Sequence, residues 1–275
     1  MPTSAPATLS GAAPALRARV SILGTLVDNL TLPEALAWVG ARIEARGAPA
    51  LVAPVNANKY WLMSRSPRLR DIVAAAGLVV PEYAVVWAGQ VLGTPLKEHL
   101  GGIMLLQALL AEASDQGYRL FFLGARPPVV ETMVERIRRR RPRLQIAGWH
   151  HGYFQGRDEQ IVELIRASRA DVLFAALGVP RQEFWLDQHL RRLAVPVAMG
   201  VGGSFDVLAG VKRDAPGWAR GHGLEWLYRL WQQPSAYWRR YAVTNPWFVV
   251  QVLRAKWLPR LKRERAASRA IPGAR

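Results

Sequence analysis

Hydrophobic positions in this chain fall into short continuous runs that alternate with longer segments of helical period, the arrangement expected of an α/β protein. Arg19 to Leu26 reads as a strand, and Thr31 with Glu34 three residues later forms a capping box that predicts a helix over about Pro33 to Arg46. Ala50 to Val55 is a buried strand followed by a helix from about Lys59, and Leu78 to Pro81 is a further apolar strand ending at Glu82. Leu100 to Gln116 is helical. Arg119 to Leu123 predicts a strand whose Gly124 turn leads through Pro127 and Pro128 into a helix over Val129 to Arg140. Leu144 to Ala147, Asp171 to Leu177 and Val195 to Met199 complete the strands, with a Glu159 to Ser168 helix among them.

Strands separated by helices of this length predict a Rossmann-like parallel sheet covered on both faces, with ligands at the carboxyl ends of the strands. Three of those ends carry glycine: Gly124, Gly178 and Gly200. At the last of them Gly200, Gly202 and Gly203 let the backbone turn tightly and direct N–H groups at an anion, which suits a nucleotide diphosphate. Beyond Gly210 the strand signals stop, and helices broken at Pro216, Pro234 and Pro246 are expected. The division that follows is a flexible leader over 1–18, an α/β core over 19–210, a helical membrane-associating appendage over 211–258 and a frayed basic tail over 259–275.

Composition narrows the chemistry. A 275-residue chain with 51% hydrophobic residues can bury a full core, and the absence of cysteine excludes disulfides, thiolate metal sites and a cysteine nucleophile. The five histidines include the adjacent His150 and His151 but no metal-ligand spacing, so neither a metal nor another cofactor is expected. The formal charge of +17 is uneven: Lys212 to Arg265 holds 12 Lys or Arg against Asp214, Glu225 and Glu264. Trp218, Trp226, Trp231, Trp238, Trp247 and Trp257 are interleaved with those cations, a mixture that favours an anionic membrane surface over nucleic acid as the partner. No apolar run approaches the ~20 residues needed to cross a bilayer, and the N-terminus lacks a signal-peptide pattern. A cytoplasmic protein on the inner face of the plasma membrane is expected.

Six ordered strings then become informative together: ILGTLVDNLTLPEAL (Ile22 to Leu36), LFFLGARPPVVE (Leu120 to Glu131), HHGYF (His150 to Phe154), ALGVPRQEFW (Ala176 to Trp185), GVGGSFDVLAG (Gly200 to Gly210) and GLEWLYRL (Gly223 to Leu230). Over about Arg19 to Trp257 the chain resembles the WecG/TagA/CpsF glycosyltransferases. The resemblance implies inverting, metal-independent transfer of a sugar from a UDP-sugar donor to a polyprenyl-diphosphate-linked acceptor in the synthesis of cell-surface polymers. Several positions depart from the family pattern. A usual Thr-x-Asn is Pro54, Val55 and Asn56; a usual Pro-Asp-Gly, whose aspartate is the proposed base, is Pro81, Glu82 and Tyr83. His99 and Met104 replace an arginine and an acidic residue, and Ala236 replaces one of the C-terminal arginines, whereas Arg229 and Arg239 match.

Glu82 is accordingly the candidate general base, with His99 as a second catalytic candidate for proton transfer or phosphate contact. Asn56, Gly124, Gln182, Gly200, Gly202, Gly203, Arg229 and Arg239 are the substrate-binding candidates, the arginines to neutralise the departing diphosphate. Ser204 and Asp206 are expected to shape the glycine loop, His150 and His151 to form a turn, and Arg181 to face solvent. Tyr83 beside Glu82 leaves the transferred sugar open between N-acetylmannosamine, glucose and another hexose. A catalytically weak paralogue that binds nucleotide sugar or scaffolds a synthesis complex, a basic nucleic-acid binder and a homo-oligomer also remain open at this point.

Overall fold

The structure, a computed structural model, describes residues 18–269. Residues 1–17 of the expected leader and 270–275 of the tail lie outside the described residues. The chain begins with a hairpin, β1 (Arg19–Ile22) and β2 (Thr25–Asp28), where a single strand was expected. Leu23 and Gly24 both have positive φ, 47° and 83°, which is the backbone of a two-residue hairpin turn. Leucine rarely adopts that conformation, so the turn gave little signal in the sequence. Helix α1 (Leu32–Ala45) starts at the expected capping box: the Thr31 N–H donates to Glu34 Oε2 at 2.7 Å.

Strand β3 (Ala50–Val55) leads into α2 (Ala57–Met63) and α3 (Pro67–Ala75), then β4 (Leu78–Pro81), α4 (Tyr83–Leu92) and α5 (Gly102–Gln116). The near-continuous apolar residues of α4 hide its helical period in the sequence. Next come β5 (Arg119–Gly124), α6 (Pro127–Arg140), β6 (Gln145–His150), α7 (Asp158–Ser168), β7 (Val172–Ala176), α8 (Arg181–Leu193) and β8 (Val197–Gly200). Helices α9 (Ser204–Leu208), α10 (Gly217–Gly221), α11 (Glu225–Gln232) and α12 (Pro234–Arg269) close the chain.

Among the described residues one parallel sheet of six strands has the order β4-β3-β8-β7-β5-β6. Both of its faces are covered, and β3, β7 and β8 are buried at every position, as a parallel sheet between helical layers requires. The chain steps outward from β3 to β4, then crosses to β5 in the other half of the sheet. Such a change of direction opens a crevice at the carboxyl ends of the strands. Asp28 ties the hairpin to the sheet edge, accepting the Val79 N–H at 2.8 Å.

The helical segment after Gly210 is packed on the core. Phe248 and Val252 of α12 are buried within the cluster formed by α2, α3 and the sheet, and the Phe248 ring lies 5.2 Å from that of Tyr60. Pro246 was expected to break a helix and does not. Proline removes one backbone donor, but Thr244, Phe248 and Val252 on one face of α12 are anchored by burial on either side of it. The tail expected to fray from residue 259 is helical as far as Arg269.

Candidate active site

A cleft of about 660 Å³ opens at the carboxyl ends of β3, β4 and β8 and is bounded on its far side by α11 and α12. Asn56 is the N-cap of α2, its Oδ1 accepting the Lys59 N–H at 2.9 Å. The same side chain donates from Nδ2 to Glu82 Oε2 at 3.1 Å. Glu82 stands at the corresponding cap position of α4 but makes no side-chain cap bond, so its carboxylate is available to the cleft. Its main chain is fixed independently, since the Glu82 N–H donates to the Val55 carbonyl at 2.9 Å.

The glycine loop forms another wall. Gly202 has φ +51°, and a Cβ there would meet nothing within 4 Å, leaving open space on its cleft side. Its N–H donates to Gln182 Oε1 at 3.0 Å. Gln182 is buried, and its Nε2 donates to Glu183 Oε1 at 3.0 Å. Glu183 in turn pairs with Lys59 at 2.7 Å, both side chains almost fully buried. The loop is thus braced to α2 through the chain Gln182, Glu183 and Lys59. A Cβ at Gly200 would lie 2.5 Å from Gln182 Nε2, so any side chain there would displace the Gln182 amide from its two partners. Ser204 Oγ donates to the Val201 carbonyl at 2.7 Å and Asp206 pairs with Lys212 at 2.9 Å, which fixes the loop's exit.

Charged groups from α11 meet the strand ends. Glu225 lies 3.6 Å from both His99 Nε2 and the Arg229 guanidinium. Burial lifts the Glu225 carboxyl above the usual carboxylate range; Arg229 and His99 oppose the shift, while Glu82 and Asp214 add to it. For Arg229 burial acts downward, but Glu82, Tyr241 and Glu225 outweigh it and hold the guanidinium above its ordinary value. Tyr83 packs edge-on to His99, ring centroids 6.1 Å apart, and lies so close to Gly223 that any Cβ at that position would overlap its ring.

Of the residues expected from the sequence, Asn56, Glu82, His99, Gln182, Gly200, Gly202, Gly203 and Arg229 line this one cleft. Gly124 and Arg239 do not. Gly124, at φ +132°, packs against the Ala176 carbonyl with no room for a Cβ, a close approach inside the sheet. Arg239 is exposed and stacks over Trp238 at 5.3 Å. Its neighbour Arg240 lines the cleft instead, held over Tyr237 and Tyr241 at 4.9 and 4.8 Å. Gln182, expected to reach a ligand, has both ends of its amide engaged within the protein. His150, expected in a turn, is instead the last residue of β6, and His151 follows the strand end: His150 Nδ1 lies 2.8 Å from the His151 carbonyl, and Tyr153 N–H donates to His151 Nδ1 at 3.2 Å. Arg181 is exposed, as expected. A second hollow of about 350 Å³, bordered by Arg126, Tyr153 and Arg181, shares Gly178, Gly202 and Gly203 with the cleft.

Residues 20–262 match the glycosyl transferase WecG/TagA/CpsF family. The chain belongs to that family. An N-acetylglucosaminyldiphosphoundecaprenol N-acetyl-beta-D-mannosaminyltransferase of Bacillus spizizenii is 34% identical over 206 residues, which cover 74% of this chain and 79% of the relative. Enzymes of the same name from Staphylococcus aureus are 30% identical over 252 residues (strain MW2; 87% of this chain and 94% of the relative) and 31% identical over 223 residues (strain NCTC 8325; 77% and 84%). The protein is therefore a glycosyltransferase. Among its described residues no helix is long and apolar enough to cross a membrane.

Proposed function

We propose that this glycosyltransferase moves a sugar, with inversion and without a metal ion, from a UDP-sugar to a polyprenyl-diphosphate-linked acceptor at an anionic membrane surface. The observation that carries the reading is the Glu82 carboxylate, free of cap duty, held by Asn56 and facing a cleft walled by glycine and arginine. An acceptor hydroxyl beside Glu82 loses its proton to the carboxylate as its oxygen bonds to the anomeric carbon. The bond from that carbon to the donor phosphate breaks, and the nucleoside diphosphate leaves with the bonding pair. A single displacement from the opposite side inverts the anomeric centre. Arg229 and the Gly203 N–H of the glycine loop meet the charge that develops on the leaving diphosphate, supplying by fixed cation and dipole what a metal would otherwise supply.

The shared glycine rim supports a donor lying across it, with diphosphate on the loop and nucleoside towards Arg126 and Arg181. The names of the relatives support a polyprenyl-linked N-acetylglucosamine as the acceptor and N-acetylmannosamine as one sugar to try. Membrane docking is supported by Trp218, Trp231, Trp238 and Trp257, each more than half exposed on a strongly basic segment. The test is transfer from UDP-N-acetylmannosamine and UDP-glucose to N-acetylglucosaminyl-diphosphoundecaprenol, with and without chelator. Inverted product from one donor in the presence of chelator is expected. Activity lost to chelator and restored by magnesium or manganese contradicts the metal-free step.

A further inference from the structure

The wall of the cleft changes character along its length. Glu82 and Asn56 lie at the strand ends, Arg229 and Arg240 on the helices that bound it, and Phe248 and Val249 of α12 stand with Leu62 of α2 and Trp87 of α4 where these helices pack together. Val249 is 38% exposed and belongs to two surfaces at once. It lines the cleft, and it begins an outward apolar stripe in which Leu253 and Trp257 follow at intervals of four residues, one above the next on a helix.

This combination of carboxylate, cations and apolar wall matches the parts of a lipid-linked sugar: hydroxyl, diphosphate and hydrocarbon. We infer that the apolar end of the cleft is a binding site for the first isoprene units of the acceptor's polyprenyl chain, which leaves along the α12 stripe towards the membrane. The inference rests on the acceptor class proposed above. With Arg229 engaged by the donor's diphosphate, Arg240 of α12 complements the acceptor's diphosphate, and the stripe is continuous with the cleft through Val249. The occupant is thus the acceptor's own chain, with bilayer acyl chains as the competing outcome.

Calorimetry separates these without vesicles. N-Acetylglucosaminyl diphosphates carrying methyl, prenyl, geranyl and farnesyl groups are titrated below their micelle limits. Affinity is expected to rise about tenfold or more from methyl to geranyl, as burial of apolar surface requires, and then to level off. Val249→Asp should reduce that rise to about twofold or less, because a carboxylate in the groove opposes hydrocarbon burial. Val249→Ser should act in the same direction, and unchanged affinity for UDP on the same samples reports that the variants are folded. Val250→Asp, beside the stripe and outside the cleft lining, should keep the rise and weaken flotation with anionic vesicles. Affinity independent of chain length in wild type, or a rise untouched by both Val249 variants, overturns the groove and leaves the lipid to the bilayer. Failure of every analogue to bind, farnesyl included, overturns the acceptor class itself.

Discussion

The Asn56 amide donates to Glu82 at 3.1 Å while its oxygen accepts from the Lys59 N–H at 2.9 Å, so one side chain couples the start of α2 to the carboxylate at the end of β4. Aspartate at this position keeps the helix cap, since both residues cap equally well. It also sets a second carboxylate within hydrogen-bond reach of Glu82, and two such groups do not both ionise at neutral pH. Asn56→Asp is therefore expected to lower turnover at pH 7 by about tenfold or more, with partial recovery at higher pH. Asn56→Ala, which removes the donated hydrogen bond without adding a charge, should lower turnover and move the acid limb less than Asn56→Asp does. A pH–rate profile checks both, and an unmoved limb in Asn56→Asp counts against Glu82 as the base.

The buried Lys59–Glu183 pair predicts a stability effect rather than a chemical one. Lys59→Met leaves an uncompensated buried carboxylate and should cost about 3–5 kcal/mol in urea denaturation. Lys59→Met combined with Glu183→Leu should recover much of that loss, because both charges are gone. The double variant still frees the Gln182 amide from Glu183, so its affinity for UDP should fall although its fold is kept. Equal losses in the single and double variants would show that the pair does not act as a unit.

A third expectation concerns pH. Burial raises the Glu225 carboxyl, so its ionisation favours the unfolded chain. The contribution of this one group is fully present below the ordinary carboxylate range and is lost as pH climbs through that range to the raised value. Glu225→Gln removes this dependence. The variant should therefore gain stability relative to wild type between acid and neutral pH, as read by thermal melts across that interval. A constant difference across it would contradict the shift.

Which parts of the site were legible in the sequence follows from what holds them. Asn56, Glu82 and Gly200 to Gly203 follow apolar runs directly, and the end of a buried parallel strand is where a ligand binds. The partnership of Lys59 with Glu183 spans most of the sheet in sequence and is made only when α2 and α8 pack across β3 and β8. Its one local trace is a lone lysine in the first turn of α2, three residues after the Asn56 cap. Arg239 is named by its match to the family pattern, and which of the adjacent Arg239 and Arg240 faces the cleft is set by how α12 packs after the break at Gln233, which no helical period from Arg229 carries across. The hairpin was read as one strand because its turn places a leucine at positive φ. The α12 helix passes Pro246 because burial of Phe248 and Val252 outweighs a lost backbone bond, a tertiary effect that local propensity does not contain.

The claim that Glu82 removes the acceptor proton is tested most directly by Glu82→Gln, which keeps size and shape while removing the base. The measurement is single-turnover transfer at saturating UDP-sugar and lipid-linked acceptor, with UDP affinity taken on the same preparation. Turnover is expected to fall about 100-fold or more, the scale of a lost general base, with affinity for UDP unchanged. Turnover near that of wild type in a variant that still binds UDP would contradict the account.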